Sequence, residues 1–212
     1  MKKTFVLAIL FVLPIVAYLF FLSGTTNFGK LAVLTENLQE VPPVNDTILL
    51  KNKITILGFL GSDINSKRAN VLNLNQKIYK RFYEFDDLQF VMLATNGTET
   101  EVTELKKELS ALADTKKWKF VYTDEKQIQG FFDGLRTNLK LDDSKATPYV
   151  FIIDKDLKLR GRDEDIAEKT KIKYGFNSES VAELNNEMVD DVKIILAEYR
   201  LALKKNNADR RK

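Results

Sequence analysis

Three polar side chains, Ser62, Asp63 and Ser66, follow an apolar segment in the stretch GSDINS, residues 61–66. Ser and Asp at such a turn accept hydrogen bonds from the first N–H groups of a helix, and the same side chains can also form a binding surface. The sequence contains no cysteine and no histidine, which removes thiolate chemistry, soft-metal ligation and the commonest general base. The sequence therefore predicts no metal and no cofactor, and it leaves two interpretations of the turn: a helix cap or a binding surface.

Hydrolysis by a Ser62 nucleophile is a third interpretation, and the sequence disfavours it. Without histidine, only a lysine such as Lys67 or Lys145 is left as the base. Neither a G-x-S-x-G elbow nor an S-x-x-K motif is present. We therefore expect the protein not to be an enzyme.

The elements that must position this turn alternate along the chain. Short apolar segments at residues 54–60, 88–95, 118–123 and 147–154 predict buried strands, and residues 157–162 predict a strand that closes a hairpin. Helical spacing of apolar residues predicts helices after each of the first three strands and a last helix from about residue 178. Thr98 with Glu101 has the capping-box pattern. The order β-α-β-α-β-α-β-β-α predicts an α/β fold with a mixed sheet and helices on both faces.

Two further sites are candidates for binding. Thr147 and Pro148 begin the fourth predicted strand after a polar loop, where proline is tolerated. Tyr174 and Phe176 lie in the charged segment 163–177. Aromatic residues in an exposed insertion are typical partner anchors, although they also pack beneath such loops.

The order of elements and the turn together resemble the thioredoxin-like superfamily, and within it the Sco/SenC family of membrane-anchored copper chaperones for cytochrome oxidase. The family carries C-P-x-x-C after its first strand, and FLGSDINS places Ser62 and Ser66 at the cysteine positions and Asp63 at the proline. The family histidine corresponds to Ala146. The resemblance implies a thioredoxin-like fold, with a cis Thr147–Pro148 bond facing the turn, and no retained copper ligand.

The first residues differ in kind from the rest of the chain. Residues 5–22 form an apolar segment without a charge, and this segment is just long enough to cross a bilayer. Lys2 and Lys3 precede it. We expect an uncleaved anchor, with residues 4–23 in the membrane and the N-terminus in the cytoplasm. The predicted organisation is a membrane anchor over 1–23, a connector over 24–44, a thioredoxin-like domain over 45–205 and a polar tail over 206–212.

These observations predict a single-pass protein of the plasma (inner) membrane with an extracytoplasmic, periplasmic domain. Its expected role is that of a redox-inactive assembly or accessory partner of a membrane complex, with the respiratory oxidase suggested by the resemblance. The alternative is a module that binds a peptide or small ligand between residues 62–66 and Pro148. The net charge of +3 is spread along the chain, so no nucleic-acid partner is expected.

Overall fold

The computed structural model describes residues 10–16, 18, 29–42, 48–163 and 172–209. Residues 10–16 and 18 are helical, and the rest of the predicted anchor lies outside the described residues. Within these ranges, no helix combines the length and the apolar character that crossing a membrane requires.

The sheet is mixed and has β2 at its centre. Its strands follow the order β1-β6-β5-β2-β3-β4, and β7 pairs with β5. Neighbours β2, β3 and β4 are parallel, whereas β5 runs antiparallel to β2, β6 to β5 and β1 to β6. The strands are β1 Ala32–Thr35, β2 Ile54–Gly61, β3 Leu88–Thr95, β4 Trp118–Thr123, β5 Tyr149–Ile153, β6 Leu159–Gly161 and β7 Phe176–Asn177.

Helices follow β2, β3, β4 and β7. Two of them, α1 and α4, contain a π-helical turn, a feature that sequence periodicity does not reveal. Helix α1 runs through Ile64–Leu74, the π turn Asn75–Tyr79 and Lys80–Phe82; α2 is Glu99–Leu112; α3 is Glu125–Gly134; α4 runs through Val181–Glu183, the π turn Leu184–Met188 and Val189–Asp209.

Two hydrophobic cores cover the two faces of the sheet. Every residue of β2 is buried, because its side chains alternate between the cores. One core packs α1, α2 and α4 on the sheet and includes Ile56, Ile78, Phe90, Leu105, Met188 and Ile195. The other packs α3 on the opposite face and includes Leu57, Phe59, Ile128, Phe132 and Phe151.

The predicted fold class is confirmed as a mixed, thioredoxin-like α/β sheet with helices on both faces. The parallel crossovers from β2 to β3 and from β3 to β4 place α1 and α2 on the same face, as right-handed connections require. After β4 the chain passes through α3 and forms the β5–β6 hairpin, in which β5 pairs with β2 on the side away from β3. The carboxyl end of β2 therefore meets the amino end of β5, and this junction holds the candidate turn.

Two strands lie where the sequence predicted none. Strand β1 falls within the 24–44 segment assigned to a connector, and it pairs with β6. Strand β7 falls within the charged segment and pairs with β5. Both are too short for an alternating pattern to identify them.

One predicted cap is wrong. The Thr98 side chain caps no backbone N–H of α2 and instead donates to the Thr95 carbonyl. The Glu99 carboxylate, one residue later, accepts from the Gly97 N–H. Thr98 is therefore the N-cap residue, but Thr98 and Glu101 do not form the reciprocal hydrogen bonds of a capping box.

Candidate functional site

Gly61 ends β2 in a left-handed conformation, with φ of 60°. A Cβ atom at this position would lie 2.0 Å from the Ser144 carbonyl oxygen. The same oxygen accepts from the Ser62 N–H at 2.8 Å. Both the conformation and the close approach require glycine, so the turn is packed directly on the loop over residues 142–147.

Asp63 is the N-cap of α1. Its carboxylate accepts from the Ser66 N–H at 3.1 Å, and the Ser66 hydroxyl donates to the Asp63 carbonyl at 3.0 Å. The cap interpretation is therefore confirmed for Asp63. Ser62, Asp63 and Ser66 all remain exposed to solvent, so capping leaves their outer surfaces available to a partner.

Ser62 is not arranged as a nucleophile with a lysine base. Its hydroxyl donates to the Ser144 carbonyl over a long 3.4 Å. The Lys67 ammonium lies 3.4 Å from the Asp142 carboxylate and has no hydrogen bond to Ser62 among the described residues. A serine nucleophile needs its base within hydrogen-bond reach, and the Lys67 ammonium is directed to Asp142 instead.

Asp142 organises the loop behind the turn. Its carboxylate accepts from the Ser144 hydroxyl at 2.6 Å and from the Ala146 N–H at 2.9 Å. Burial alone would raise the Asp142 pKa, but these two hydrogen bonds and the nearby Lys67 lower it below its ordinary value. Asp142 was not among the predicted site residues, although Asp, Ser and neighbouring polar residues are the signal of a side-chain-stabilised turn.

Thr147 and Pro148 lie beside β2, as predicted, but the expected cis peptide bond is wrong. The Thr147 N–H donates to the Phe59 carbonyl at 3.1 Å, and the Thr147–Pro148 bond is trans. The Pro148 carbonyl accepts from the N–H and the hydroxyl of Ser178. A trans bond is the lower-energy form for most X–Pro pairs, and here the backbone of Thr147 is already paired with β2.

A cavity lies under the turn, between α1 and β5. It measures about 10 Å³ and its walls include Gly58, Lys67, Asn70 and Thr147. A Cβ on Gly58 would lie 2.5 Å from the Met92 sulfur, so glycine in mid-strand leaves room for that side chain. The walls of this cavity include neither residues 62–66 nor Pro148, so it is distinct from the groove predicted between them.

The two aromatic candidates have different environments. Phe176 is 1% exposed and belongs to the core on the α1 face, so it is a core residue and the expectation that it anchors a partner is wrong. Tyr174 is half-buried and packs against the core on the α3 face. Neither residue lies in the walls of the cavity under the turn.

Metal ligation has no support in the described residues, where no three carboxylates or other ligands form a group that could hold an ion. Ala146, at the position of the family histidine, is fully buried. The side chains that the turn exposes are those of Ser62, Asp63, Asn65 and Ser66.

The geometry of the turn predicts the outcome of introducing two cysteines. Ser62→Cys with Ser66→Cys should form an intramolecular disulfide under mild oxidant, because the two residues flank the Asp63 cap and bonding requires Cα atoms roughly 4.4–6.8 Å apart. Thiol titration and mass spectrometry measure this. Copper affinity should stay weak, since Ala146 supplies no imidazole.

Asn65→Cys with Ser66→Cys is the matched control for this disulfide. Both of its positions are also exposed, but adjacent helical residues do not face each other. This pair should remain reduced. Equal oxidation of the two pairs would show that disulfide formation is not specific to positions 62 and 66. No oxidation of either pair would show that Ser62 and Ser66 are not placed for a disulfide. Both outcomes would contradict the prediction.

Comparisons with known proteins yield structural neighbours only. No family profile and no curated protein matches the chain. A candidate electron transfer protein from Aquifex aeolicus is 17% identical, with a TM-score of 0.46 over 69% of this chain and 83% of its own. A thiol:disulfide interchange protein of the thioredoxin family from Chlorobium tepidum is 16% identical, with a TM-score of 0.42 over 68% and 82%.

Copper-bound ScoI from Arabidopsis thaliana is also among the neighbours. It is 20% identical, with a TM-score of 0.40 over 68% of this chain and 86% of its own. Scores and identities this low carry no argument about function. The fold assignment rests on the strand order and on the two hydrophobic cores that cover the faces of the sheet.

Proposed function

We propose that this protein is a membrane-anchored, redox-inactive thioredoxin-like protein that binds a protein partner through the turn after β2. The binding surface consists of Ser62, Asp63 and Ser66. Its role is the non-catalytic assembly or support of a membrane complex. The absence of cysteine and histidine from the sequence supports the non-catalytic role.

One observation carries the proposal: the turn is both exposed and rigidly supported. Its three polar side chains are accessible, while the backbone on either side is fixed by the Ser62–Ser144 and Thr147–Phe59 hydrogen bonds. A surface that is ordered before binding loses little conformational entropy when a partner docks. Polar groups held in this way suit recognition of another protein.

The alternative, a buried site for a small ligand, is less well supported. Pockets for small molecules enclose about 300–1,000 Å³, whereas the cavity under the turn is about 10 Å³. A peptide in the same place would have to lie on the outer surface, which is the proposed partner surface. We therefore place the proposed contact on the exposed outer surface of the turn rather than in this cavity, whose walls include none of residues 62–66.

The membrane location rests on the sequence. The apolar segment 5–22, with Lys2 and Lys3 before it, supports an anchor with the N-terminus in the cytoplasm and the domain on the outer, periplasmic side. The respiratory oxidase is the partner that the Sco/SenC resemblance suggests. This part of the proposal depends on the resemblance alone.

Photo-crosslinking of the full-length protein in membranes tests the proposal. With p-benzoylphenylalanine at Ser66, ultraviolet light should yield one discrete crosslinked species, and the protein should sediment with membranes until detergent is added. Glu84, an exposed residue beyond the far end of α1, is the control position and should yield none. Identical products at both positions, no product at Ser66, or a protein that stays in solution without detergent would contradict the proposal.

A further inference from the structure

The amide nitrogen of Asn70 is buried without a hydrogen-bond partner. Asn70 lies on α1 and is 6% exposed, and no acceptor among the described residues pairs with its Nδ2 atom. Buried donors in native proteins nearly always have a partner, because an unpaired one loses its hydration without compensation. The position of Asn70 therefore points to a partner outside the described residues.

A cavity adjoins Asn70 and has the size of a single small molecule. It is the cavity of about 10 Å³ under the turn, and Asn70 is part of its wall. A buried water needs roughly 10–15 Å³ of this kind of volume and 2–4 polar partners. A larger ligand would require the surrounding side chains to move.

The walls of the cavity supply the other polar partners. Ser178 and Thr147 both line it and both are buried. The Ser178 hydroxyl donates its proton to the Pro148 carbonyl, which leaves its lone pairs free to accept. The Thr147 oxygen accepts from the Tyr149 N–H over a long 3.4 Å, which leaves its own proton to donate.

We propose that this cavity is a binding site for one structural water molecule, which accepts a hydrogen bond from Asn70 Nδ2 and bonds to Thr147 and Ser178. The water joins α1 to the start of β5 and to the segment after β7. It thereby supports the helix that carries Ser66 from below. The site is separate from the partner surface, and it stands whether or not that surface binds a protein.

Nuclear magnetic resonance on the full-length protein in detergent micelles, labelled with ¹⁵N-asparagine, detects this water directly. The side-chain amide of Asn70 should show a cross-peak to a long-lived water in both NOESY and ROESY spectra. No cross-peak, with the Asn70 amide bonded instead to a protein acceptor, would overturn the proposal. A crystal structure with density larger than one water beside Nδ2 would do the same.

Asn70→Leu separates a hydrated amide from an unpaired one. If water satisfies the amide, the near-isosteric leucine loses those hydrogen bonds, and the melting temperature should fall by about 2–4 °C. If the amide has no partner, leucine removes a buried unpaired donor and raises the melting temperature. Asn65→Leu, at an exposed position of the same helix, gives the change in helix propensity together with the loss of one exposed hydrogen bond from Arg68. A rise in the melting temperature of Asn70→Leu beyond that of Asn65→Leu would refute the water site.

Discussion

Gly61→Ala is expected to destabilise the protein by about 2–5 kcal/mol. A left-handed conformation costs a non-glycine residue about 1–2 kcal/mol, and forcing an atom into a packed region costs about 1–3 kcal/mol. Both terms apply at Gly61, where φ is 60° and a Cβ would lie 2.0 Å from the Ser144 carbonyl oxygen. The opposing atoms belong to the backbone of residues 144–146, so no side chain can rotate away to relieve the contact.

Gly97→Ala is the matched control for Gly61→Ala. Gly97 also has a positive φ, of 94°, but no atom lies within 4 Å of its hypothetical Cβ. Its substitution should therefore cost only the conformational term, about 1–2 kcal/mol. Urea unfolding followed by the fluorescence of the single tryptophan, Trp118, which is 5% exposed, measures both variants. Equal losses would show that the turn and the 142–147 loop do not press against each other.

The sequence predicts β2, β3 and β4 well because their apolar residues leave a strong signal. The apolar segments at residues 54–60, 88–95 and 118–123 correspond to Ile54–Gly61, Leu88–Thr95 and Trp118–Thr123. Strands β2 and β3 are buried almost throughout, so a nearly continuous apolar segment marks each of them. Edge strand β4 is marked by apolar residues interrupted by the half-buried Lys119. Helix α1 buries Val71, Leu74, Ile78 and Phe82 at helical spacing, and the π turn within it does not disturb the pattern.

The short strands β1 and β7 are harder to predict. Val33 of β1 is 42% exposed, so this four-residue strand lacks the alternation that identifies a strand. Phe176 looks like a loop aromatic in a charged segment, yet the two-residue β7 places it in the core. In both cases pairing with a distant strand, rather than local sequence, determines the structure.

The candidate site can be predicted only in part from the sequence. Asp63 was identifiable as a cap from residue type and position, and the structure confirms it. The isomer of the Thr147–Pro148 bond was not, because cis and trans differ by only about 0.5–1 kcal/mol for such bonds. The support that Asp142 gives to the loop arises from contacts within residues 142–146 and with Lys67, and the contact with Lys67 depends on the folded sheet.

Arg160 is a second position where a single substitution should have a large effect. Its guanidinium is 5% exposed and donates to Asp154 at 2.9 Å, to Glu198 at 2.7 Å and to the Leu31 carbonyl at 2.8 Å. These contacts connect the β5–β6 hairpin with α4 and with the residue before β1. The side chain therefore joins three segments that are distant in sequence.

Arg160→Met should lower the free energy of unfolding by about 3–5 kcal/mol, because removing one partner of a buried ion pair leaves the other charge uncompensated. Asp154 is that other charge, and it is 1% exposed. Its bonds from the N–H groups of Asp156 and Lys158 remain, which places the expected loss toward the lower end of this range. Urea unfolding measures the loss, and the double variant with Asp154→Asn should lose less than the sum of the single variants, since the two residues interact directly.

Arg68→Met is the matched control for Arg160→Met. Arg68 pairs with Glu104 and Glu108, whose side chains are 59% and 41% exposed. Pairs of exposed charges contribute about 0–1 kcal/mol, so this variant should change the free energy of unfolding by less than about 1 kcal/mol. Two outcomes would contradict the prediction. The first is a loss of unfolding free energy in Arg160→Met no larger than in Arg68→Met, and the second is a loss in the double variant equal to the sum of the two single losses. Either would show that the buried pair does not hold the hairpin, α4 and the start of β1 together. If Arg160→Met causes a large loss, Arg68→Met does not, and the double variant is non-additive, the buried ion pair stabilises the sheet edge formed by β1 and β6. This stabilisation is independent of the turn at Gly61, which lies at the opposite end of β2.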